Sequence, residues 1–466
     1  ANSAADTGFD VDNSCRFNDG DSAYMEKSPA SDGSNTTATF SAWVKRGNLG
    51  ARQAIFGGQE GTTTAERCVM EFNASDQLVM QTGNGGSFVN KVSNRVFRDV
   101  SAWYHVVFQF DTTNGTAASR WKFFVNGVQE TSLATDQTFP DSADIKFFEN
   151  TTSCRIAVGM KPEGSNNVQF FDGYMAEVVV IDGTVVAPSS FGEYSETTPG
   201  LWIPKDVSGL TFGTNGFYLD FKDSSNLGND ANGGTDLTET NIVAADQATD
   251  TPTNNFCTWN PLDNFYKGVT FSQGNCMSVG GASSKNSWIT STFGLSSGKW
   301  YCEMVVPDVT TDHSNVSFGI SDKVTTSATQ ALGTLDEYQW SFRMHNGQKR
   351  SNNSSTSYGN AYALDQVVGM ALNLDDNELT YYINNTVQNS GTAISITAPA
   401  STDSGHYFIA LGDETDQNGT LQINFGGCSG FALSSAESDA NGYGNFEFAP
   451  PSGFFAICSK NLAEFG

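Results

Sequence analysis

The chain has 466 residues, room for two or three domains, and a formal charge of −27 with only 24 Lys plus Arg. Phosphate backbones and anionic lipid need cations at the contact, so this balance argues against nucleic-acid and membrane-surface partners. No apolar run approaches the roughly 20 residues of a membrane-spanning helix, so no membrane insertion is expected.

Residues 1–12 are small and polar and read as an N-terminal arm. The opening Ala-Asn-Ser-Ala-Ala-Asp carries neither a basic nor an apolar leader, and a first residue other than Met is expected to reflect a removed initiator. Ser14–Tyr24 begins a strand that runs into Asn-Asp-Gly-Asp. In ATFSAWVKR, Phe40, Ala42 and Val44 alternate with Ser41, Trp43 and Lys45, the period of a half-buried strand. Short strands follow at AIFGG, RCVMEF and QLVMQT. Trp103–Val128 reads as a central hairpin: Val106, Phe108 and Phe110 share one face, as do Trp121, Phe123 and Val125, and Asn126-Gly127 supplies the tight turn. CRIAVGM and FFDGYMAEVVVIDGTVV close this half. Strands at short, regular spacing without helical periods predict an all-β sandwich, with one wet face per sheet.

Residues 196–262 change character. GTNGFYLDF supplies one strand, but the polar run SSNLGNDANGGTDLTETN has too few apolar residues for a core, so the stretch reads as a connector that packs on its neighbours. Residues 263–466 return to the strand pattern in GKWYCEMVV, VSFGIS, YQWSFRMHNGQ, HYFIALG and LQINFGG. A second hairpin spans Val367–Val387. Val368, Met370, Leu372 and Leu374 face Leu379, Tyr381 and Ile383, with Asn384-Asn385 in the tight-turn position.

The order SAWVKR, IFGG, WYHVVFQFD, KFFVNGV, IAVGM and FFDGYMAEVVV resembles a laminin-G-like, concanavalin A-like jelly roll over residues 13–195. GKWYCEMVV, VSFGIS and VVGMALNLDDNELTYYINN are similar to the SPRY family, departing from it only where Asn384-Asn385 replaces Asn-Gly. The resemblance implies two jelly-roll β-sandwiches, laminin-G-like then SPRY-like. The pairing, with GTNGFYLDF between the halves and PPSGF near the end, resembles structural proteins of marine bacteriophages.

Little here points to bond-breaking chemistry. His105, His313, His345 and His406 have no second His or Cys at ligand spacing. A glycosidase on this fold needs two carboxylates at alternating positions of a groove strand; Glu177 stands alone, and Asp413, Glu414 and Asp416 read as a turn. No catalytic residues are expected, and none of the 8 Cys forms a CxxC pair. Calcium is a softer question, because laminin-G-like and lectin sandwiches sometimes hold it in rim loops; Asp19, Asp21, Asp172 and Asp182 are the candidate ligands. In SPRY proteins the loops flanking central strands bind partners, which here nominates Arg343, His345, Asn346, Lys349, Arg350 and Tyr358.

The whole-chain resemblance implies a non-enzymatic virion protein (capsid decoration, head fibre or tail-fibre component) on the virion surface, made in the host cytoplasm and extracellular after release. Its partners would be sister subunits in a homo-oligomer, a trimer as first guess, other virion proteins, and a host-surface glycan or protein. The alternatives are a polysaccharide depolymerase on the same fold and a secreted calcium-binding adhesin with disulfides.

Overall fold

The computed structural model describes residues 8–84, 87–263, 268–280, 286–308, 316–323, 330–413 and 419–466. His313, Glu414 and Asp416 lie outside them. The chain divides into two compact units, residues 5–253 and 254–466. The expected all-β architecture of two sandwiches is what is found.

The strands of the first unit are β1 Ser14–Phe17, β2 Tyr24–Lys27, β3 Thr37–Arg46, β4 Gln53–Gln59 and β5 Arg67–Phe72. They continue as β6 Gln77–Asn84, β7 Ser87–Val96, β8 Trp103–Asp111, β9 Trp121–Val125, β10 Val128–Gln129 and β11 Leu133–Asp136. Next come β12 Arg155–Val158, β13 Lys161–Glu163, β14 Asn166–Val168 and β15 Gly173–Asp182. The last are β16 Gly192–Tyr194, β17 Trp202–Pro204, β18 Phe217–Leu219, β19 Thr238–Thr240 and β20 Gln247–Ala248. One sheet runs β10-β9-β8-β3-β15-β1-β20 with β18 also on β15; the facing sheet runs β11-β7-β6-β5-β4-β12-β2-β19. The alternation sends Phe40, Ala42, Val44, Val106, Phe108, Phe110, Trp121, Phe123 and Val125 into one core between them.

Two features differ from the sequence reading. The β8–β9 hairpin is not central: β3 and β15 are, and β9 lies next to the edge strand β10. The first sheet also has no fully wet outer face, because Val107, Val179 and Ile181 pack outward against Phe191, Val207, Phe212 and Tyr218. The covering residues belong largely to the stretch read as a connector. β18, β19 and β20 pair with β15, β2 and β1, so residues 196–253 are part of the first unit, and the division falls between residues 253 and 254. Their own apolar content is low, but they are anchored by buried ion pairs: Arg16–Asp246 (2.9 Å) and Lys45–Asp250 (2.6 Å).

The second unit contains β21 Thr270–Ser272, β22 Met277–Val279, β23 Ser287–Thr290, β24 Lys299–Asp308 and β25 Val316–Ser321. It continues with β26 Gln339–Arg343, β27 Gln348–Ser351, β28 Ser354–Ser357, β29 Val368–Asn373, β30 Glu378–Ile383 and β31 Thr386–Val387. Then follow β32 Ile394–Ser395, β33 Phe408–Asp413, β34 Thr420–Asn424, β35 Phe455–Ala456 and the short helix α1 Ser459–Phe465. Its sheets run β21-β22-β34-β24-β29-β30-β31 and β23-β33-β25-β26-β27-β28. Here too the sheet centre is β24, with the β29–β30 hairpin nearer an edge. Tyr301 and Ala371, on the outward face, are covered by Phe446, Ala456 and Cys458.

Both predicted tight turns form. Asn126 and Gly127 have φ of 48° and 77°, Asn384 and Asn385 of 44° and 61°. Positive φ at both central positions matches the right-handed twist of the flanking strands, which is why Asn replaces Gly in the second turn at little cost.

All eight cysteines are buried thiols, none in a disulfide. Burial pushes the Cys68 thiol up to about 12. A thiol-specific reagent is therefore expected to label none of them in the native protein and all of them in denaturant; rapid native labelling of several would contradict this packing.

Candidate functional site

The outward face of the second sheet of the first unit is partly covered by the β13–β14 hairpin and holds a depression beside it. Along β5 and β6, Cys68, Met70, Phe72, Leu78 and Met80 point into the core. The alternation turns Val69, Glu71, Val79 and Gln81 the other way. Register places Glu71 opposite Val79, Val79 opposite Val92, and Gln81 opposite Asn90. With Arg52, Asn73, Ala74 and Ser75 they line a depression of about 310 Å³. The β13–β14 hairpin crosses the sheet beside it, over Gly57: a Cβ there would lie 2.4 Å from Met160 O.

The polar side chains in this groove are held in place. Arg52 donates to Glu71 Oε1 through Nε (2.9 Å) and Nη2. The Gln169 amide is oriented with its nitrogen toward Glu71 Oε2 (2.6 Å). Glu71 is fully buried, and burial raises its carboxyl above the usual range against the pull of Arg52. Gln81 Nε2 donates to Asn90 Oδ1 (2.7 Å), while Gln81 Oε1 accepts nothing. Two residues further along the strands, Phe88 is paired with Gly83, and Lys161 Nζ lies over its ring, 5.3 Å from the centroid. The arrangement sets Val79 and Val92 beside fixed donors and acceptors. It suits hydroxyl-rich ligands that present one apolar face. Sequence reasoning passed over these residues because each is an ordinary outward position of its strand; only the sheet gathers them.

The groove lacks the acid pair of a glycosidase. Its neighbouring carboxylates are matched to arginines: Glu71 to Arg52, Glu163 to Arg67 (2.7 Å) and Glu26 to Arg155 (3.2 Å). Glu177 sits on the other sheet under the cover, where Tyr218 Oη donates to it (2.7 Å) and burial pushes it up to about 7. His105 is fully buried between Ser41 Oγ (2.9 Å) and Trp202 Nε1 (3.0 Å). Burial lowers it to about 3, so it is a neutral structural group.

The expected calcium ligands do not form one site. Asp182 is saturated by Ser34 N–H (2.7 Å) and by the backbone and side-chain N–H groups of Asn215 (both 3.1 Å), which makes it a loop anchor. Asp21 takes the Asn18 amide (2.6 Å). Only Asp19 and Asp172 are brought together. A different group, Glu60, Asp144 and Glu149, has carboxylate oxygens within 4.8 Å of one another. Lys146 Nζ sits among them, 3.3 Å from Glu60 and 3.5 Å from Asp144, and meets part of their charge. Burial and Asp144 push Glu60 up to about 8.

In the second unit the structure splits the nominated patch between the two faces of β26–β27. Phe342 and Met344 enter the core, and Lys349, paired with Phe342, lies on that side with its Nζ 6.0 Å from the Trp340 ring. Arg350, paired with Ser341, faces the opposite way and is buried, its Nε and Nη2 donating to Leu332 O (3.0 and 2.7 Å). Tyr358 is largely buried, its hydroxyl accepting from Tyr381 N–H (3.4 Å), and it lines a depression away from the His345 turn. Arg350 therefore does not share an exposed surface with His345 and Asn346 as the loop reading expected. His345 and Asn346 occupy the exposed turn and bond each other (2.9 Å), next to Arg343. A separate depression of about 400 Å³ runs from Ser357 to Asn360 and from Thr386 to Ser390.

The fold defines two β-sandwiches, one in each unit. Residues 19–188 match the family profile described as the concanavalin A-like lectin/glucanases superfamily, and residues 299–427 match the SPRY domain. Comparison with curated proteins gives no match. Similar solved structures include the SPRY domain of human HERC1 (10% identity, TM-score 0.28, covering 35% of this chain and 96% of that one). Another is a human SPRY domain (11% identity, TM-score 0.26, 33% and 93%). A third is a Bacteroides ovatus protein described as carbohydrate-binding (17% identity, TM-score 0.33, 50% and 59%). Likeness at this level says nothing of ligand or activity.

Proposed function

We propose that this chain is a non-enzymatic adhesion protein whose first unit binds a glycan in the groove beside its β13–β14 hairpin. The observation that supports the ligand class is the depression itself, in which the fixed polar groups of Arg52, Asn73 and Asn90 stand beside Val79 and Val92. A sugar hydroxyl would hydrogen-bond to the Asn90 amide while a ring face lies on Val92. The arginine-matched carboxylates support the absence of hydrolysis, since acid–base cleavage needs one protonated and one unpaired carboxyl.

Val92→Ser and Asn90→Ala are each expected to weaken binding to host-surface polysaccharide by about tenfold in a glycan array followed by calorimetry, with unchanged thermal stability. Wild-type affinity in both variants would reject this groove. Incubation with the bound glycan should release no new reducing ends.

The finer reading is a virion structural protein of a marine phage, displayed on the particle as a homo-oligomer, a trimer as first guess, so that weak sites gain avidity. Its support is the resemblance of the whole chain noted above. Immunogold labelling of purified particles and mass photometry of the isolated protein test it; unlabelled particles, or a monomer at micromolar concentration, would count against it.

A further inference from the structure

One sheet edge of the second unit lacks the usual protection. A strand at the end of a sheet exposes a row of unmatched backbone groups, and such edges are guarded by shortening, bending, charging or covering them. β10, β20 and β31 have two residues each, β19 and β21 three. β11 carries a register shift and ends on Asp136, while β23 has Trp288, Ile289 and Thr290 buried. β28 has none of these devices: it is four residues long, in regular register with β27, uncharged and exposed throughout. Residues 351–364 hold no charged side chain, in a chain of net charge −27.

The β27–β28 hairpin decides which backbone groups point out. Asn352 and Asn353, with φ of 47° and 55°, form a two-residue turn, so Ser351 and Ser354 are a hydrogen-bonded pair and every second pair after them is too. Tyr358 N–H donates to Gly347 O (3.2 Å), which keeps that parity at the far end. Ser354, Thr356 and Tyr358 therefore turn their N–H and C=O groups toward β27, and Ser355 and Ser357 turn theirs outward. Among the described residues no strand lies on that side. Where β28 ends, the depression of about 400 Å³ lined by residues 357–360 and 386–390 begins, on the side of the sandwich where both sheets stop.

We propose that β28 pairs antiparallel with β28 of a second copy, about a two-fold axis at Thr356. This register sets Ser355 opposite Ser357 of the other copy, and each such pair exchanges both N–H···O bonds. Thr356 meets its own counterpart at the closer, non-hydrogen-bonded spacing, where paired threonines are favourable. The Asn352-Asn353 turn of each copy then comes to the mouth of the other's depression. Small uncharged side chains let two strongly acidic chains meet without like charges at the paired residues. The contact joins subunits in pairs, not threes, and needs neither the glycan groove nor the virion reading.

Sedimentation velocity on the full chain, from micromolar to submillimolar concentration, tests it. The expected result is a reversible monomer–dimer equilibrium, weak because so short a strand buries little area. Ser355→Pro removes an outward N–H but no bond to β27, so it should leave thermal unfolding unchanged and weaken the dimer on the order of tenfold or more. Thr356→Lys sets two ammonium groups against each other across the axis; it should act likewise, and added salt should partly restore the dimer. A wild-type protein that stays monomeric over this range would leave the edge to a different chain and overturn the self-pairing. So would a dimer indifferent to both variants. A trimer indifferent to both would overturn it too, while leaving the homo-oligomer reading intact.

Discussion

Asp250→Ala is expected to destabilise the first unit by about 3–5 kcal/mol, a large part of the roughly 5–15 kcal/mol that holds a domain folded. Asp250 Oδ2 meets Lys45 Nζ at 2.6 Å, with both side chains 1% exposed. Its Oδ1 accepts Trp103 Nε1 (3.0 Å), and its carbonyl accepts Ser14 Oγ (2.6 Å). Truncation leaves the Lys45 ammonium buried without its carboxylate, which costs more than the pair itself contributed. The same change frees the segment containing β20, whose own apolar surface is too small to keep it in place. Urea unfolding should show a lower midpoint, and hydrogen exchange should rise in residues 244–253. The double variant Lys45→Met, Asp250→Leu should recover much of the loss, since apolar groups of similar size need no counter-charge. A loss below about 1 kcal/mol in the single variant would mean that the segment is held by something else.

Glu303→Ala is expected to act comparably in the second unit. Glu303 is fully buried on β24 and accepts four hydrogen bonds: Glu447 N–H (2.8 Å), Phe448 N–H (2.9 Å), Tyr301 Oη (3.2 Å) and Asn424 Nδ2 (3.3 Å). Two backbone donors of the covering segment depend on it, and a buried donor left unmatched costs about 1–3 kcal/mol. Faster exchange at residues 446–448, with the β29–β30 hairpin still protected, is the expected signature. Protection unchanged at 446–448 would refute it.

The pH dependence of this lock has a definite sign. Burial pushes Glu303 up to about 7 from an ordinary 4.5, even against four donors that pull it down. A carboxyl raised in the folded state binds protons more readily there than in the unfolded chain. Its contribution to stability is complete below about 4.5 and is lost as pH rises to about 7. Glu177, pushed up to about 7, works in the same direction in the first unit. Unfolding midpoints are therefore expected to rise between pH 7.5 and 5.5, and Glu303→Gln should flatten the second unit's share. A midpoint falling over that range would show that other groups dominate.

Much of the architecture was legible from alternation alone. Phe40, Phe108, Phe123, Met370 and Tyr381 are core residues because every second residue of a strand faces the same way, and Asn126-Gly127 and Asn384-Asn385 turn because their side chains tolerate positive φ. The same rule misled at Val107 and Val179, whose outward positions are buried by a later segment. In residues 196–253 it found the strand in GTNGFYLDF but not β19 or β20, where single ion pairs and short bridging strands replace apolar content.

What the linear chain determined by itself was therefore strand identity, turn chemistry and the two-sandwich class, all properties of neighbours within a few residues. Where side chains meet was decided only in three dimensions. Arg52, Glu71 and Gln169 come from three separate segments, Asn48 and Asp172 meet from distant parts of the chain, and Arg350 is claimed by Leu332 O. Period-two patterning specifies a face but not what covers it. Burial, charge compensation and the open groove thus depend on sheet order and register, which no short stretch of sequence contains.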